Sequence, residues 1–171
     1  MSANSTEIHY SGRDHHTVEQ DELSPMVRAD RPIPKHAPGG QFYFEVSIVN
    51  AGSNREIAVG ICVKDTRLDT FPGWEKYSFG YHGDDGNIYC ESDDPEHHTQ
   101  NPFSTGDTIG VCLNFNNGSL SFSKNRREVK KVQLSRKRME KEYYPSVGIS
   151  SPGAVVRIVP MSTDGEISCF V

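Results

Sequence analysis

The stretch Gln41 to Val49 (QFYFEVSIV) alternates apolar and polar positions, with Phe42, Phe44, Val46 and Ile48 on one face and Tyr43, Glu45 and Ser47 on the other. Successive side chains of a strand point to opposite faces, so the pattern predicts a half-buried antiparallel strand. After a turn at Asn50 to Asn54, Glu56 to Val63 (EIAVGICV) is apolar almost throughout and is expected in a sheet centre. Tyr77 to His82 and Asn87 to Cys90 flank Asp84-Asp85-Gly86 and read as a hairpin, followed by an acidic loop from Glu91 to Pro102. Thr108 to Phe115 and Ser119 to Ser123 flank Asn116-Asn117-Gly118, a strong hairpin signal. Two more strands, Tyr144 to Ile149 and Ala154 to Val159, are separated by Ser150-Ser151-Pro152-Gly153. The only helical expectation is a short one near Ser135 to Lys141, which carries charge on all sides.

Short strands separated by turn signals, with almost no amphipathic helix, predict an all-β sandwich of two antiparallel sheets. Residues 1–22 are polar and aperiodic and read as a flexible flank, with an edge strand at Ile8 to Tyr10. The domain is expected over 23–160. Its entry, Ser24 to Gly40, is rich in proline and glycine and should run as a surface loop. Residues 161–171 read as a tail whose polar close, MSTDGEISCFV, suits a piece of a longer protein.

The net charge of −5 is unevenly spread. Tyr77 to Ser123 contains no Lys or Arg, whereas Lys124 to Lys141 carries nine basic residues against two acidic ones. One rim should be acidic and another basic, and the overall balance argues against a nucleic-acid domain. The aromatics Trp74, Tyr77, Phe79 and Tyr81 lack the basic groove that base stacking requires. No apolar run approaches the roughly 18 residues needed to span a bilayer, so a protein of the cytoplasm or nucleus is expected. Cys62, Cys90, Cys112 and Cys169 are widely spaced, without a C-x-x-C pair, and are expected as free thiols, mostly buried.

Pro72 to Cys90 (PGWEKYSFGYHGDDGNIYC) holds the only tryptophan, three of seven tyrosines and four glycines. Its run PGW-x-K-x-S-x-GYHGDDG, from Pro72-Gly73-Trp74 through Gly80 to Gly86, resembles SPRY (B30.2-like) domains, and most of all the Ran-binding protein M group of SPRY-domain adaptors. Val27 to Ala29 with Pro32 to Pro34, Thr105-Gly106-Asp107 and Tyr144-Pro145 with Val147-Gly148 extend the likeness over roughly 130 residues. It implies a bent β-sandwich with no enzymatic activity or cofactor, binding a short peptide or loop of a partner protein through loops at one end. It also implies a role as adaptor or substrate receptor in a ubiquitin-ligase-type assembly, the isolated domain being a monomer. Transferred residue by residue, the binding surface comprises Arg31, Pro32, Ile33 and Pro34, the hairpin residue Tyr89, and Ser150, Ser151, Pro152 and Gly153. Tyr89 is the expected aromatic anchor and Arg31 the expected charged contact. Lys124-Asn125-Arg126 replaces the family's Lys-Asn-Gly turn, and the loop before the last strand lacks the Trp-Gly pair of some peptide-binding members.

Other chemistries fit less well. Asp84, Asp85, Glu91, Asp93, Asp94, Glu96, His97 and His98 could hold a cation, which makes a cation-binding structural domain using loop 84–98 the alternative reading. Yet no D-x-[DN]-x-[DN]-G-x5-E pattern is present, and adjacent histidines face one ion poorly. Hydrolysis by Ser78 or a cysteine with His82 as base lacks a nucleophile elbow. The basic segment reads either as a solvated surface or as a dock for an acidic partner or anionic membrane surface.

Overall fold

The computed structural model describes residues 6–9 and 26–159. Among the described residues, eleven strands form two antiparallel sheets. In chain order these are β1 (Thr6–His9), β2 (Met26–Arg28), β3 (Gln41–Asn50), β4 (Ile57–Val63), β5 (Ser78–His82), β6 (Ile88–Cys90), β7 (Thr108–Asn114), β8 (Ser119–Lys124), β9 (Arg127–Gln133), β10 (Tyr143–Ile149) and β11 (Val155–Val159). One sheet runs β1-β11-β3-β7-β8-β9 and the other β2-β10-β4-β5-β6. The expected sandwich is therefore present. β1 lies inside the stretch read as a flexible flank, where it pairs with β11. The remainder of residues 1–22 and the tail 161–171 lie outside the described residues.

Alternation decides which side chains meet between the sheets. Phe44, Val46 and Ile48 of β3 pack into the core with Ile57, Val59 and Ile61 of β4, and Phe79 and Tyr81 of β5 join them. The inner layer is continued by Val111 and Leu113 of β7, Phe122 of β8 and Val147 of β10. Tyr81 and Phe103 meet edge to face with ring centroids 5.0 Å apart, an arrangement favoured by the ring quadrupoles.

β4 is buried almost along its whole length because a second layer covers the outer face of its sheet. The connection 64–77, between β4 and β5, folds back across that face as a strap. Glycines allow the close approach. A Cβ on Gly80 would overlap the Pro72 carbonyl oxygen, and one on Gly148 would lie 2.5 Å from the Phe71 ring. Backbone groups of the strap find partners in place: Met26 N–H donates to the Leu68 carbonyl (2.9 Å), Gly73 N–H to Ser78 Oγ (2.7 Å) and Ser92 N–H to the Gly73 carbonyl (2.9 Å).

The basic segment becomes β9 and a four-residue helix, α1 (Arg136–Met139), with Ser135 at its N-cap. Sequence reading expects the helix but not the strand, because REVKKVQ buries only Val132 and leaves its charges outward at a sheet edge. The turn between β8 and β9 places Asn125 and Arg126 at φ 51° and 63°, the double left-handed conformation of a type I′ hairpin. A left-handed arginine costs backbone energy that glycine does not, and the Arg126–Glu45 ion pair (3.3 Å) adds little because the arginine side chain is 74% exposed. Arg126→Gly is expected to raise stability by about 1 kcal/mol, read as an increased denaturant midpoint.

Cys62 and Cys90 are free and buried, as expected. Cys112 differs, being disulfide-bonded. No helix among the described residues is long and apolar enough to cross a membrane.

Candidate functional site

The β5–β6 hairpin closes through a five-residue loop, 83–87, with His82 N–H donating to the Asn87 carbonyl (3.0 Å). Asp85 organises it. Its carboxylate accepts from Asn87 N–H (2.9 Å), Asn87 Nδ2 (3.0 Å) and the Tyr89 hydroxyl (2.6 Å). Burial opposes ionisation of Asp85, but these donors outweigh it and hold the carboxyl below its ordinary value. Burial and the Asp85 charge push the Tyr89 phenol up, keeping it a donor.

Ile88 and Cys90 face the core, so Tyr89 between them points to the outer face. Its ring lies 4.1 Å, centroid to centroid, from the ring of His82, which in turn packs against Phe71 (5.6 Å) and Trp74 (5.8 Å). His82 Nε2 lies 2.8 Å from the Pro72 carbonyl oxygen. A carbonyl can only accept, so this nitrogen carries the proton. Trp74, on the strap, remains 38% exposed over this aromatic group. Beside it opens a cavity of about 160 Å³ lined by Glu56, Ile57, Phe71, Trp74, His82, Asp84 and Ser150. Glu56 is placed there by the hydrogen bond from Ser150 N–H to its carbonyl (2.9 Å).

Burial pushes the His82 imidazole down from its ordinary 6.5, against the Pro72 carbonyl and the charges of Asp84 and Asp85, which favour protonation. Below pH 6.5 the unfolded chain therefore binds a proton that the folded protein refuses, so the folded state loses stability as pH falls. The expected slope is about 1 kcal/mol per pH unit from pH 6.5 downward, and it should be flatter in His82→Gln when denaturant midpoints are compared across pH.

Of the residues expected to bind a partner, Tyr89 and Ser150 are brought to this aromatic group and its cavity. Ser151 is fully buried, and its Oγ accepts from Asn54 N–H (2.9 Å) and Arg55 N–H (3.2 Å), which makes it part of the frame. Pro152 is partly exposed and Gly153 exposed on the same loop. Arg31, Pro32 and Pro34 are exposed, but Ile33 is buried and donates its N–H to the Tyr143 carbonyl (2.7 Å). Tyr143 begins β10 and Ser150 follows its end, so the two predicted loops stand about 20 Å apart along one strand. Trp74, Phe71, Glu56 and Asp84 were not among the expected contacts. The single tryptophan, directly after Pro72-Gly73 in a loop, was the available signal for them.

The rival chemistries find little support in the geometry. Ser78 is fully buried and its Oγ is occupied by Gly73 N–H, while His82 gives its proton to Pro72. Cys90, Glu96 and His97 have possible ligand atoms within 4.8 Å of one another, and neither Asp84 nor Asp85 belongs to that group. Burial and the Glu96 carboxylate push the Cys90 thiol up, away from the thiolate a metal would require. Part of the basic segment is used internally, as in the Arg138–Glu91 pair (2.8 Å) and the bond from Lys124 Nζ to the Pro102 carbonyl (2.7 Å).

Comparison with known proteins agrees with this architecture. Human Ran-binding protein 9 is 36% identical over 156 residues, 91% of this chain and 20% of that protein. The Ran-binding proteins 9/10 homolog of Drosophila melanogaster is 35% identical over 91% of this chain and 15% of its own length. The Ran-binding protein M homolog of Arabidopsis thaliana is 29% identical over 78% of this chain and 27% of its own. The chain thus spans about a quarter or less of the length of these relatives. A crystal structure of a human SPRY domain superposes with a TM-score of 0.68 at 30% identity, over 92% of this chain and all of that one. The SPRY domain of human HERC1, at 21% identity and a TM-score of 0.60 over 80% of this chain and 82% of that one, shares the fold. The SPRY domain family model matches residues 41–162, and with the strap, the paired sheets and the Gly-Tyr-His-Gly-Asp-Asp-Gly hairpin in place, the chain belongs to the SPRY domain family.

Proposed function

We propose that this SPRY domain recognises an extended peptide or loop of a partner protein on the outer face around Tyr89, Trp74 and Ser150. The observation that carries the reading is the half-exposed tryptophan packed against His82 and edge-on to Tyr89 beside an open cavity. Large aromatics held rigidly offer contact area at low entropic cost, and the sandwich beneath supplies the rigidity. Binding, without chemistry, is the function of this site. Arg31 to Pro34 joins it only for a partner long enough to follow β10. Within a longer protein the domain would act as the partner-recognising part of an adaptor, of the ubiquitin-ligase type that the family resemblance suggests, in the cytoplasm or nucleus. Affinity capture with wild type beside Tyr89→Ala, followed by peptide mapping of what is lost, tests the reading. Partners retained equally by both proteins would move the site elsewhere.

A further inference from the structure

The cavity beside Trp74 has a composition that selects its guest. At about 160 Å³ it is well below the roughly 300 Å³ at which small-molecule sites begin, so it suits a single side chain. Its walls combine Phe71 and Trp74 with two carboxylates, Glu56 and Asp84. No Lys or Arg is among the lining residues, and Arg55, the chain neighbour of Glu56, is exposed outside them. Neither carboxylate has an ion-pair partner among the described residues, while other acidic side chains nearby do: Glu91 holds Arg138 and Glu75 holds Arg67. His82 adds no positive charge, since burial keeps its imidazole neutral.

From this juxtaposition we propose that the cavity is a pocket for a cationic side chain of the bound peptide, arginine in preference to lysine. A planar guanidinium can lie against the Trp74 ring while its fork of N–H donors meets the carboxylates of Glu56 and Asp84. The hairpin beside the pocket carries Asp84 and Asp85 and, like all of Tyr77 to Ser123, no Lys or Arg, a charge balance that would favour a basic segment there. This inference rests on the peptide-binding reading above and assigns the chemistry of one position in the peptide.

The test is selection from a random dodecamer display library on the intact chain. Binders are expected to carry Arg or Lys at one fixed position, and Trp74, the only tryptophan, should report their binding through its fluorescence. Replacing that arginine by citrulline, its neutral isostere, should weaken binding about tenfold and flatten its salt dependence. The protein variant E56Q/D84N should do the same with an unchanged melting temperature, and the citrulline exchange decides the matter should that variant fold poorly. Binders that need Tyr89 but lack a basic residue, or that tolerate citrulline, would overturn the pocket assignment and leave the peptide-binding reading standing. A library that yields no binder would overturn both.

Discussion

Gly80→Ala is expected to cost about 3 kcal/mol of folding stability, with the strap released from the sheet before the core unfolds. The added methyl has no room, because its position is already filled by the backbone carbonyl of Pro72. A backbone group cannot rotate away as a flexible side chain can, so the strap must move as a unit. Opposite Gly80 across the ladder stands Gly60, whose own Cβ would overlap the Phe79 carbonyl, so the sheet has no slack on that side either. The Pro72 carbonyl also accepts from His82, and its displacement would loosen the aromatic group with it. Urea denaturation followed by Trp74 fluorescence and by far-ultraviolet circular dichroism should show the fluorescence change first, at lower denaturant. Coincident transitions within about 0.5 kcal/mol of wild type would show that the strap does not depend on this contact.

Tyr89→Ala is expected to weaken a genuine partner by about 2 kcal/mol, roughly 30-fold in Kd. The residue is partly exposed on the outer face, where its ring covers the buried His82 and meets the exposed Trp74. Truncation removes that area and the hydroxyl donor to Asp85, though Asn87 still binds the carboxylate through two N–H groups. Tyr89→Phe separates the two effects. It keeps the ring, so it should retain most of the affinity if contact area dominates. Calorimetric titration of the three proteins with one captured peptide, beside their melting temperatures, makes the comparison, and an alanine variant with wild-type affinity would place the partner elsewhere.

The sandwich was legible because its strands carry their burial in their composition. QFYFEVSIV alternates and EIAVGICV does not, and the difference matches one sheet's inner face and the other sheet's fully covered centre. What covers that centre was not legible. The strap 64–77 has no periodicity, and its docking depends on Gly80 and Gly148, which lie on strands either side of β4 and come under one strap only through strand register. Strand β9 escaped for the opposite reason, since an edge strand with outward charges has no apolar pattern to read. The same distinction divides the site. Tyr89 could be expected from the hairpin and the family likeness. Trp74 was not among the expected contacts, although it stands 38% exposed. Glu56 and Asp84 are 28 positions apart, and it is the pairing of Ala58 with His82, with the bond from Gly83 N–H to the Ile57 carbonyl (2.8 Å), that brings them to one cavity.

β1 and β11 lie side by side, with Thr6 opposite Ile158 and His9 opposite Val155. Polypeptide therefore enters and leaves this unit at one border of the six-stranded sheet, in opposite directions. A module built this way can be spliced into a surface loop of a larger host without forcing the host's flanking segments apart, and the closure entropy of such an insertion is small. The outer face of the other sheet, where Tyr89 and Trp74 lie, stays clear of that attachment line, which would let tethering and recognition proceed on separate sides of the same sandwich.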